Sequence, residues 1–153
     1  MRIVEIIKRN IELVPQIEQF ISSSRFILNY ETDNDRLFPI AYLDRPLRVN
    51  GVRNDQGTII EQLQVTMLFA DLQGEHVDSV AAQVEADKKI EIMRYAALMF
   101  ITAIQNDPET ALLQSVNYSD VVNFYDASVC GVVLNFSINL RVETPYPCVP
   151  HGT

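Results

Sequence analysis

A chain of 153 residues with 48% apolar, 21% charged and 8% aromatic side chains is long enough for one domain with a real core, and its composition is that of an ordinary globular protein rather than a disordered one. The formal net charge is −8, and the 12 Lys and Arg are scattered without forming a run. That argues against a protein that grips phosphate backbones, because counterion release needs clustered cations. An acidic balance of this kind keeps a domain soluble, and it also suits a surface past which a polyanion slides without sticking.

The longest apolar run, YAALMFITAI, is about ten residues and too short to span a bilayer. The segment MRIVEIIKRNIELV has charges every few residues and no small-residue cleavage pattern, so a mature cytoplasmic chain is expected rather than a signal peptide. Two cysteines, Cys130 and Cys148, fit a reducing compartment.

Apolar residues at Ile3, Ile7, Ile11, Val14, Ile17 and Ile21 recur in steps of three and four, which predicts a helical face, split or kinked at Pro15 and ended by SSS at 22–24. RFILNYETDND then reads as a strand running into a polar turn. LFPIAYLDRPLRVN is a second strand region, and Pro39 and Pro46 suggest an edge or bulged strand. NGVRNDQGT, residues 50–58, reads as a loop rich in turn residues.

IIEQLQVTMLFADL alternates. Leu63, Val65, Met67 and Phe69 point one way, and Gln62, Gln64 and Thr66 the other, as in a half-buried antiparallel strand. A helix is expected over 77–105, with Asp78 as N-cap and Ile90, Met93, Ala97, Ile101 and Ile104 on one stripe. NDPE at 106–109 ends it.

VNYSDVVNFYDAS supplies the next strand. The last strand puts Leu134, Phe136, Ile138, Leu140 and Val142 on a dry face and Asn135, Ser137, Asn139, Arg141 and Glu143 on a wet one. Gly131 just before it suggests a bulge or turn, and Cys130 a small core residue. The order predicts a single α+β domain over 1–153, an antiparallel sheet with helices packed on one face, and 143–153 as an extended tail that carries Cys148.

No catalytic constellation emerges. CVPH spaces Cys148 and His151 like metal ligands, but no second pair completes a zinc site, and His76 in EHVD reads as solvated. DNDR at 33–36 resembles the start of a calcium loop, yet Phe38 stands where the loop needs Gly and no Glu closes it. There is no G-x-S-x-G, P-loop or Gly-rich dinucleotide turn, and only five glycines. No catalytic, cofactor-binding or metal residue is assigned, no cofactor is expected, and the chain is not expected to be an enzyme.

The order and spacing of elements are similar to a known family across most of the chain. An N-terminal helix precedes NYETDND, LFPIAYLDRP, LQVTMLFADL and a long helix; YDASVCGVVLNFSINL and a PYPC tail close the chain. This arrangement resembles the neck and tail-completion proteins of tailed bacteriophages: tail terminators, head–tail joining proteins and tail-barrel rings, crAss-like and other Bacteroidetes-type phages included. The closest match is a D-x-x-x-x-G-V-x-L-x-F-x-I strand over residues 126–138, with Asp126, Gly131, Val132 and Phe136 in place.

The resemblance implies a tail-terminator-like fold and a virion subunit assembled in the host cytoplasm. It implies a ring of six or twelve copies, with other neck, ring or portal proteins as partners. DNA would pass without specific binding through a lumen lined by acidic side chains, and no membrane is involved. The long last strand would extend a sheet across a subunit boundary or line a ring wall, with contacts also at 31–37, 50–58 and 143–153. From the residues alone, a monomeric cytoplasmic binding domain, or a small enzyme with a carboxylate site, is the alternative.

Overall fold

The computed structural model describes residues 2–23, 38–45, 47–53, 59–72, 80–124 and 129–141. In chain order these form α1 (Arg2–Ile11), β1 (Gln19–Ser23), β2 (Ile40–Asp44), β3 (Arg48–Arg53), β4 (Ile59–Leu72), α2 (Val80–Gln105), β5 (Thr110–Phe124) and β6 (Val129–Arg141). The described strands make one sheet in the order β1-β2-β4-β6-β5, with β3 also paired to β4. The fold is α+β and mostly antiparallel; only β1 and β2 run parallel.

The core lies between one sheet face and the two helices. Strand alternation turns Leu63, Val65, Met67 and Phe69 of β4 and Val132, Leu134, Phe136 and Ile138 of β6 inward, where they are buried with Met93, Phe100 and Ile104 of α2. Ile3, Ile6, Ile7 and Ile11 close the same core from α1. Phe100 is its centre: its ring lies 5.8 Å from Phe69 and 5.8 Å from Phe136, tilted against one and edge-on to the other.

The helix of 80–105 runs without Gly or Pro and stops where Asn106, Asp107 and Pro108 begin. The Thr110 hydroxyl lies 2.8 Å from the Ile104 carbonyl and 3.0 Å from that of Asp107, adding a side-chain donor to the backbone N–H groups of Asp107 and Thr110 that these carbonyls already accept.

Four expectations need correction. The helical face of 3–21 stops at Ile11: Val14 stays in the core through a tight turn, and Gln19–Ser23 form a strand beside β2. Phe20 then packs on the main core and Ile21 on the opposite sheet face, as alternation requires. The region of 37–50 divides: β2 is not an edge, with β1 on one side and β4 on the other, since Pro39 precedes the ladder and removes no donor from it, whereas β3, from Arg48 on, pairs β4 alone among the described strands and is the expected edge. Asn50–Arg53 are not loop; they continue β3 against Ile59–Gln62.

Gly131, fourth, is not a turn, and the bulge lies opposite it. It pairs Ala70 and Val121 inside β6, and β5 carries the extra residue between Val121 and Phe124. Glycine is required there because an added Cβ would stand only 1.9 Å from the Phe69 carbonyl oxygen.

The outer face is also drier than a simple in/out alternation implies. Ile40, Tyr42, Leu68, Ala70 and Val129 form a second buried cluster there. Only the lower half of that face, from Thr66 toward Gln62, is polar. The expected contact segments at 31–37 and 143–153, Asp78 and Asp126 lie outside the described residues.

Candidate functional site

The long strand β4 is paired along its whole length by β6, but on its other edge by two short strands laid end to end. β2 pairs with Met67–Ala70 and β3 with Ile59–Gln64. The described ladder therefore skips Val65 and Thr66 on that edge. A groove of about 430 Å³ opens there on the outer face, lined by Asp44, Arg45, Arg48, Gln64 and Thr66. DRPLR, the crossing from β2 to β3, supplies both guanidinium groups.

Next to the groove the sheet presents rows of polar groups, neutral apart from Arg48. Asn50, Gln62 and Asn139 share one row; Arg48, Gln64 and Ser137 the next; Thr66, Asn135 and Asn117 the third. Directly paired residues point to the same face, so these rows form one continuous surface. Thr66 Oγ1 donates to Asn135 Oδ1 at 2.7 Å, tying β4 to β6 across it. A surface of amides and hydroxyls exchanges hydrogen bonds with water readily and carries little charge of its own.

A second polar cluster pins α1 to the end of α2. The Asp107 carboxylate, although buried, accepts from Arg9 Nη2 (2.6 Å), Asn10 Nδ2 (2.8 Å) and the Glu109 N–H (2.9 Å). Burial pushes this carboxyl upward as the largest single influence. The Arg9 hydrogen bond, the Glu109 N–H, the Asn10 amide and the Arg9 charge together outweigh it and hold the pKa below the ordinary value of 3.8. Arg9 and Arg2 also reach Glu109 at 3.5 and 3.8 Å. A carboxylate with three donors already engaged is a fastening rather than a general base.

Arg94 makes a bidentate pair with Asp120 at 2.7 and 2.8 Å, joining α2 to β5 at the surface. Among the described residues, no group of three or more His, Cys, Asp or Glu side chains is placed to hold a metal ion. No described helix is long and apolar enough to cross a membrane. Cys130 is fully buried in the core, and burial pushes its thiol pKa up. His76, Cys148 and His151 lie outside the described residues.

Sequence reasoning did not find the groove. Its local signal is two arginines around a proline between two strand-like runs, and that signal has meaning only once both runs are known to share one edge of β4. No family model matches the chain, and no curated protein matches it.

Proposed function

We propose that this chain is a structural subunit of an oligomeric ring at the neck or tail of a tailed bacteriophage, part of the wall of the DNA channel. The observation that carries the reading is the exposed sheet face of Gln62, Gln64, Thr66, Asn135, Ser137 and Asn139. These six side chains are polar and uncharged, rather than the acidic lining expected, on a chain of net charge −8. Such a wall lets a polyanion pass without a lattice of phosphate contacts to hold it. The resemblance of residues 126–138 to the closing strand of neck and tail-completion proteins points the same way.

The route of assembly differs from the expectation for the last strand. β6 lies between β4 and β5, so its backbone groups are already paired and it cannot extend a sheet into a neighbour. Its part in this reading is the polar wall, and subunit contacts fall to other surfaces. The ring would hold six or twelve copies and meet other neck, ring or portal proteins above and below.

A monomeric binding domain or small enzyme is the second reading, and the groove of Asp44, Arg45 and Arg48 favours it. Mass spectrometry and cryo-EM of purified particles decide between them. The ring reading expects this chain in the virion, in density around the tail axis. Its absence from particles, or a position off the axis, overturns the proposal.

A further inference from the structure

The outward side of α2 is apolar. Val80, Val84, Ile92, Tyr95, Leu98 and Met99 are each at least 40% exposed. At 3.6 residues per turn they fall within an arc of about 120°. Ala86, Met93, Ala97, Phe100 and Ile104, all buried, lie on the opposite side. A surface helix normally keeps one apolar stripe for its core and charges for water; a helix with two opposed apolar stripes is one that is covered on both sides.

The pattern along the stripe indicates what covers it. Counting outward from the Lys89–Ile90 junction, Lys88 mirrors Glu91, Val84 mirrors Tyr95, and Val80 mirrors Met99. When two copies of a helix pack antiparallel about a two-fold axis at that junction, mirrored positions stand at the same height. Val84 is then level with Tyr95, Val80 with Met99 and Leu98 with Ala81, while Ile92 is level with Asp87, and each subunit's Lys88 comes within reach of the partner subunit's Glu91. The neighbouring cations are otherwise engaged: Lys89 Nζ donates to the Leu72 carbonyl at 2.6 Å, and Arg94 holds Asp120. Lys88 and Glu91 are exposed, within the stripe. At the Met99 end, Gln16 Nε2 donates to Met99 Sδ at 3.5 Å, bringing the segment after α1, with exposed Leu13, alongside the stripe.

We infer that α2 is a self-association face, which pairs two copies of this chain antiparallel through Val80, Val84, Tyr95 and Met99 with reciprocal Lys88–Glu91 contacts. The pair closes on itself, so it does not build a ring, and the inference does not rest on the virion assignment. From Val80 to Met99 the stripe is about 30 Å long, which puts the interface at the small end of specific contacts, so monomer and dimer exchange.

Sedimentation equilibrium of the full chain tests this, with circular dichroism to show that each variant is folded. The wild type is expected in monomer–dimer equilibrium, and Val84→Glu or Tyr95→Glu should each raise the dissociation constant about tenfold or more. Lys88→Glu and Glu91→Lys should each weaken the dimer, and the double exchange K88E/E91K should restore it; equal helicity of the three variants by circular dichroism separates contact across the interface from the i,i+3 pair within one helix. A wild type that stays monomeric at its highest soluble concentration overturns the inference. So does association that is indifferent to Val84→Glu and Tyr95→Glu, or a double exchange no better than the single ones.

Discussion

Asn10 in α1 donates from Nδ2 at 2.8 Å to Asp107 Oδ2, 97 residues later, and the same amide nitrogen donates at 2.8 Å to the Ile6 carbonyl. One buried side chain thus ties the first helix to the end of the long one. Both groups are buried, so removal of either takes a partner from the other: Asp107 keeps only Arg9 and the Glu109 N–H, and Asn10 only the Ile6 carbonyl.

Asn10→Ala or Asp107→Ala should each destabilise the fold by about 2–3 kcal/mol, the scale for hydrogen bonds to charged groups. The double variant should cost less than the sum, since the two act on one contact. Urea unfolding curves of the three variants check this. A loss under about 0.5 kcal/mol for both singles would mean that α1 is held by its isoleucines alone.

The same carboxylate makes stability depend on pH. Its folded pKa is depressed, so the folded state binds fewer protons than the unfolded one near the ordinary value of 3.8. Its contribution is therefore full above the unfolded value and lost as pH falls through the folded one. Between neutral pH and the acid range, wild type should lose more stability than Asp107→Asn. Parallel acid-unfolding curves for the two proteins would remove Asp107 as a source of acid sensitivity.

Gly131→Ala tests the closest backbone approach in the sheet. The new methyl would meet the Phe69 carbonyl oxygen and the Ala70 Cα, neither of which is a flexible side-chain end. The end of β4 and the start of β6 must separate there, and overpacking of this kind costs about 1–3 kcal/mol or more. Thermal unfolding of the variant measures it, and an unchanged midpoint would show that the strands are further apart than described.

Phe136→Ala should cost roughly 3–5 kcal/mol, because it removes one ring from the Phe69–Phe100–Phe136 stack and leaves a cavity between sheet and helix. A cost below about 1 kcal/mol in chemical denaturation would remove this face from the core.

Those two sites differ in how much of them the sequence displays. Phe136 belongs to an unbroken alternation from Leu134 to Leu140, and the stripe of Ile90, Met93, Ala97, Ile101 and Ile104 keeps its helical period, so both buried faces are readable locally. Ile17 and Ile21 also continue the steps of three and four after Val14, yet Gln19–Ser23 are a strand because β2 offers them a ladder. Local periodicity cannot register that partner. Asn50 and Gly51 have turn chemistry, but β4 holds them extended. The groove is harder still, since it arises from a gap between two strands on one edge of a third. The opposed stripe of α2 is different: Val84, Ile92, Tyr95 and Met99 are visible as a second apolar period, and only the sheet shows which of the two faces inward.

Cys130 should be chemically silent in the folded chain. It is fully buried, and burial raises its thiol pKa, so little thiolate forms near neutral pH. In a Cys148→Ser background, a thiol reagent should label the native protein only at the rate at which it unfolds, and label fully in denaturant. Fast labelling under native conditions would place the thiol at the surface.

The last prediction concerns β5, one edge of the sheet among the described strands. β5 is an edge strand, and its register against β6 slips at three places: between Thr110 and Leu112, Gln114 and Asn117, and Val121 and Phe124. Each slip inserts one residue on the β5 side, which bends the strand and interrupts the row of backbone groups that another chain would pair with. At the middle slip Ser115 takes a φ of 50°, the left-handed region in which a Cβ is unfavourable. Ser115→Gly should relieve that strain and stabilise the fold by up to about 1 kcal/mol, less the entropy glycine adds to the unfolded chain. Deleting Ser115 should do the opposite to solubility: with the middle bulge removed, the edge becomes straighter and a better template for strand addition. Chemical denaturation reads the first effect, and light scattering on concentration reads the second. If Ser115→Gly destabilises, or the deletion variant stays as soluble as wild type, the bulge is not what guards this edge.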